Sequence, residues 1–197
     1  MNRLAPALAA LLLASCATTA AVPTAAAPSR SPCEYYPLEV GNRWVYDGPP
    51  GQDNQPSQLA VTIIGSRDGY FQDDKKGNLA CTAEGLRDGK RYLLQGPLEK
   101  GHGWSNVTSV GTTEHFEISE VGQPVTVPAG SFTETVTVVS RDRIDADKVL
   151  ELRTVYARGV GMIRLQTLLL TKGQEIPQVT AVLRSFQAAP APGPAKP

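Results

Sequence analysis

The stretch Thr135-Val136-Thr137-Val138-Val139-Ser140 decides the fold, together with Val149-Leu150-Glu151-Leu152-Arg153-Thr154-Val155-Tyr156 beyond a polar turn. Val136 and Val138 alternate with Thr135 and Thr137. Leu150, Leu152 and Tyr156 fall on one side of their segment, Glu151, Arg153 and Val155 on the other. A period of two in residues rich in Val and Thr belongs to strands with unlike faces. The alternation recurs outward in both directions. Leu59, Val61 and Ile63 oppose Ala60 and Thr62; Phe116 and Ile118 oppose His115 and Glu117; Val179, Ala181 and Leu183 oppose Thr180, Val182 and Arg184. Turn signals separate the segments at Arg67-Asp68-Gly69, Arg87-Asp88-Gly89-Lys90, Pro128-Ala129-Gly130 and Lys172-Gly173. No body segment combines a helical apolar period with caps.

The spacing predicts about nine strands, near 43–47, 57–66, 69–74, 79–86, 90–95, 114–121, 132–142, 149–157 and 161–171, with a tenth near 178–186. Short connections favour up-and-down order, and accumulated twist curls a large sheet. The expected fold is all-β, a single curled antiparallel sheet or incomplete barrel, with a β-sandwich as the alternative. Its outer face should carry Glu151, Arg153 and Arg184. Its inner face should carry Phe116, Ile118, Val136, Val138, Leu150, Leu152, Ile163, Leu165, Val179, Ala181 and Leu183, closing mostly on one another.

Composition bounds the rest. The 197 residues hold 19 Lys and Arg against 19 Asp and Glu, with 41% hydrophobic and 19% charged residues. That suits one domain with a core, and the neutral balance argues against nucleic acid as a partner. Two histidines and three cysteines leave little for a metal centre.

The N-terminus speaks to location. Arg3 precedes an apolar run from Leu4 to Leu13, too short to span a bilayer, which reads as an export signal over 1–15. Leu13-Ala14-Ser15-Cys16 resembles the lipobox of bacterial lipoproteins. That resemblance implies cleavage before Cys16, lipid on its thiol and a membrane attachment that needs no transmembrane helix. Ala17, in place of the aspartate that retains many such proteins at the inner membrane, points to the outer membrane. Residues 16–32 and 188–197 are small, polar or proline and read as a disordered tether and tail around a body at 33–187.

Spaced motifs cover nearly all of that body: Pro37-Leu38-Glu39-Val40-Gly41-Asn42-Arg43-Trp44, Val127-Pro128-Ala129-Gly130-Ser131-Phe132 and Tyr156-Ala157-Arg158-Gly159-Val160-Gly161. They resemble a family of uncharacterised bacterial envelope lipoproteins, which carries no activity over to this chain. More loosely, the chain resembles curled-sheet lipoprotein carriers with an apolar concave face, a fold-level analogy. Pro128 and Gly130 suit a tight turn, Gly159 and Gly161 a bend, and Trp44 and Tyr46 a core anchor. Alternatively, Trp44, Trp104 and Tyr156 surround a ligand cleft.

With Cys16 used by lipid, Cys33 and Cys81 remain. In an oxidising compartment they suit a disulfide, closing a loop of about 50 residues worth roughly 4 kcal/mol; two unpaired thiols are the alternative. Catalytic patterns are missing: there is no nucleophile elbow, zinc-protease helix or phosphate loop. His115 and Glu117 share a strand face, a pattern commoner on solvated strands than in metal sites. The expectation is therefore a non-catalytic binding or scaffold module of the cell envelope, needing no cofactor or metal, with an envelope protein as possible partner. The alternative is a carrier holding an apolar ligand or lipid on the concave face.

Overall fold

The computed structural model describes residues 30–51 and 54–190. A 3₁₀ turn, Pro32–Tyr35, precedes fourteen strands: β1 Arg43–Pro50, β2 Pro56–Arg67, β3 Tyr70–Asp73, β4 Asn78–Cys81, β5 Gly85–Arg87, β6 Tyr92–Gln95, β7 Gly103–Ser109, β8 Thr112–Val121, β9 Val125–Val127, β10 Gly130–Phe132, β11 Thr135–Arg143, β12 Lys148–Ala157, β13 Gly161–Thr171 and β14 Gln174–Gln187. Twelve of them form one antiparallel sheet in the order β6-β5-β4-β3-β2-β1-β14-β13-β12-β11-β8-β7, and β9 and β10 pair as a separate hairpin. The molecule is an all-β, nearly closed, curled sheet.

Backbone chemistry sets the turns. Asp68-Gly69 and Lys172-Gly173 are two-residue connections with positive φ at both positions. That geometry matches strand twist and closes β2–β3 and β13–β14. The curl brings the edge strands β6 and β7 face to face. No ladder joins them. Instead the buried Asn106 side chain serves as a strand partner: Tyr92 N–H donates to Asn106 Oδ1 at 2.8 Å, and Asn106 Nδ2 donates to Tyr92 O at 3.1 Å. Trp104 Nε1 donates to the same carbonyl at 2.8 Å.

Two apolar clusters hold the fold. One gathers Tyr35, Leu86, Leu94, Trp104, Ile118, Val136, Val138 and Tyr156. The other gathers Trp44, Tyr46, Ile63, Val127, Val155, Ala157, Ile163 and Leu183. Tyr36, Leu38 and Met162 pack against both. Val155 and Tyr156, neighbours in β12, thus serve different clusters, as a period of two demands. Tyr35 enters from the 3₁₀ turn and stoppers one end of the curled sheet, a contribution the strand alternation does not announce.

Four expectations need correction. The segment 79–86 is two strands, because the chain turns at residues 82–84, where the Glu84 and Gly85 N–H groups donate to Thr82 Oγ1. Residues 103–109 form β7, although no strand is predicted there. Their alternation is inverted, with Trp104 and Asn106 turned in and Val107 left 74% exposed. Glu151 is 1% exposed rather than outward in water. The register sets Arg141 directly opposite it, and Arg141 Nε and Arg153 Nη2 bond it at 2.8 and 2.6 Å. Finally, Val179 alone of the expected inner-face residues is exposed, at 42%, while the other ten are buried or half-buried.

Candidate functional site

The strand register assembles the inner face row by row. Phe116 pairs with Ser140, Ser140 with Leu152, Leu152 with Thr167 and Thr167 with Val179. The next row runs Ile118, Val138, Thr154, Leu165 and Ala181. Leu150, Leu169 and Ile176 extend the face away from the Tyr35 end. These rows bound a cavity of about 200 Å³ lined by Leu93, Phe116, Val138, Leu152, Met162 and Leu165, with Arg91, Ser140, Thr154 and Tyr156 as its polar members. Leu93 and Arg91 come from the β6 side, so the cavity lies behind the seam that Asn106 closes.

The polar groups differ in how they are satisfied. Arg91 donates from Nε and Nη2 to Asp88, at 3.1 and 2.9 Å, and from Nη1 to Glu114 at 3.4 Å. Its charge is therefore answered twice over. Among the described residues, the Ser140, Thr154 and Tyr156 hydroxyls donate to no protein atom. Burial pushes the Tyr156 phenol well above its ordinary value, so it stays protonated.

The three aromatic residues proposed for a cleft are not gathered around one. Trp44 belongs to the second cluster, stacks on Phe186 with ring centroids 5.3 Å apart and donates through Nε1 to Val160 O at 2.6 Å. Trp104 stacks on Phe116 at 5.6 Å. Tyr156 alone of the three lines the cavity. The reason is the register: β1 and β7 lie far apart in strand order, and both indoles satisfy their N–H groups on backbone carbonyls of the fold itself.

The sequence motifs converge on the closed end. Asn42 donates to Pro37 O at 2.8 Å and accepts from Ala189 N at 2.7 Å, tying both ends of the domain together. Arg158 bonds Glu34 Oε2 at 2.7 Å, while Gly159 N–H donates to Glu34 O at 2.7 Å. Ala129 N–H donates to Leu183 O at 3.0 Å, laying the β9–β10 hairpin on the sheet. Cys33 and Cys81 are joined as a disulfide with Cα atoms 5.7 Å apart. Cys16 lies outside the described residues. His115 Nδ1 meets Ser105 Oγ at 2.8 Å on an exposed face, and His102 stacks on Trp104. Among the described residues, no three His, Cys, Asp or Glu side chains are grouped to hold a metal ion.

No family model matches the chain, and no curated protein matches it. Among solved structures it is similar to a Parabacteroides distasonis chain described as a "putative lipoprotein", with TM-score 0.41, 12% identity and coverage of 78% of this chain and 98% of that one. It is also similar to a Bacteroides fragilis chain described as a "putative exported protein with YmcC-like fold", with TM-score 0.42, 12% identity and the same coverage.

Proposed function

We propose that this chain is a bacterial envelope lipoprotein, held at the outer membrane through lipid on Cys16, whose domain is a non-catalytic binding module. The observation that carries the binding role is the inner face. Leu93, Phe116, Val138, Leu152, Met162 and Leu165 line an apolar cavity of about 200 Å³, and the inner rows run on from it to Ile176 and Val179, which are 40% and 42% exposed. The export signal and lipobox supply the location. The same inner face favours the carrier over the scaffold as the more specific reading, because it bounds an apolar cavity with a few polar groups.

Two measurements test this. Cys16→Ala should move the protein from the membrane fraction to the soluble fraction; retention through a high-salt wash overturns the anchor. Native mass spectrometry of the purified protein, followed by solvent extraction, should reveal a bound apolar molecule. If none is bound and a solvatochromic apolar dye also fails to bind, the binding role on this face is overturned.

A further inference from the structure

We infer that the cavity behind the β6–β7 seam takes one aliphatic chain bearing an uncharged hydrogen-bond acceptor, such as an ester or amide carbonyl. This deepens the carrier reading and rests on it.

The walls select the chain. Leu93, Phe116, Val138, Leu152, Met162 and Leu165 offer hydrocarbon on several sides, and the aliphatic face continues past Leu150 and Leu169. The hydroxyls select the acceptor. Ser140 and Thr154 are diagonal neighbours on adjacent strands, and Tyr156 follows Thr154 on the same face. Thr154 is 8% exposed and Tyr156 is buried, and the hydroxyls of both open into the cavity without a protein partner. In the free protein, water in the cavity reaches these hydroxyls; an alkane that displaced it would leave them unpaired at about 1–3 kcal/mol each, whereas a ligand with an acceptor would not. Three donors without protein partners in a mostly aliphatic cavity therefore favour a ligand that carries an acceptor over a plain alkane.

Charge selects which kind of acceptor. Arg91 uses three of its N–H groups on Asp88 and Glu114, so two carboxylates already answer its one positive charge. A carboxylate or phosphate arriving there would meet a site with net negative charge. A neutral carbonyl would not, and the two remaining Arg91 N–H groups can still donate to it.

The test uses the full chain and displacement of a solvatochromic dye by methyl decanoate, undecane and decanoate anion. Methyl decanoate should displace the dye about tenfold better than undecane, the factor expected from roughly 1.4 kcal/mol of hydrogen bonding. It should also outcompete decanoate. Thr154→Val and Ser140→Ala should each shrink the ester preference to threefold or less while leaving undecane unchanged. Leu152→Arg should abolish displacement by all three. Ester and alkane displacing equally in the unaltered protein, or an ester preference that survives both hydroxyl variants, overturns the acceptor and leaves the carrier standing. That second outcome assigns the hydroxyls to cavity water. Stronger displacement by decanoate overturns the uncharged class. Failure of the dye and all three probes to bind overturns the carrier and this inference together.

Discussion

Gly161 sits at φ +111°, and a Cβ built there would lie 3.0 Å from Trp44 Nε1. Both facts follow from one arrangement. Val160 O must accept the buried indole N–H, so the backbone turns beneath the ring, and only a residue without a side chain makes that turn at low cost. Gly161→Ala should destabilise the domain by about 2–3 kcal/mol, combining backbone strain with displacement of a rigid ring. Gly89 has an ordinary backbone and open space around it, so Gly89→Ala should stay within about 0.5 kcal/mol. Denaturant midpoints of the two variants measure the contrast; equal shifts would remove the steric argument. The glycine pair around Val160 reads from sequence as a bend. Its partner does not, because Trp44 is 116 residues away and only the closed sheet brings the two together.

At the scale of elements, the seam is the weakest join. Everywhere else in the sheet, strands meet through ladders; β6 and β7 meet through one amide side chain and one indole. Asn106→Ala leaves the Tyr92 N–H without its acceptor in a buried site, which costs about 1–3 kcal/mol. Amide exchange should therefore quicken at Tyr92 and along β7 while β12 and β13 keep their protection. Uniform quickening across the sheet would show that the seam is not a separate unit. The long central strands were legible because aliphatic and polar residues alternate there with matching burial. The seam strand was not, since its inward positions carry Trp104 and the polar Asn106 while Val107 faces water. An amide that imitates a strand has no signature in hydropathy. The inward row Phe116, Val138, Leu152 and Leu165 was likewise legible, whereas the cavity's polar members required register, which alone sets Ser140 beside Thr154. Burial of Glu151 between two arginines was hidden for the same reason.

Across the whole molecule, the two ends of the curled sheet do different work. The closed end carries Tyr35, the Asn42 tie and the turn around Gly159; the other end leaves the inner aliphatic rows open. The disulfide belongs to the closed end. Its residues are 48 apart in sequence, a loop whose closure is worth about 4 kcal/mol by chain entropy. Reduction should lower the unfolding free energy from denaturant titration by about 4 kcal/mol without altering dye binding at the other end. A coupled loss of binding would mean that the two ends do not separate. The bond also decides how the body meets a mechanical load. Any tension on the chain ahead of residue 33 passes through Cys33 into β4 at Cys81, while Arg158 and Gly159 grip Glu34 beside it. The pull is therefore shared between a covalent bond and a clamp before it can peel β1 from its neighbours. A domain tugged by its leading segment would be dragged as one piece, with its open end trailing and its inner rows undisturbed.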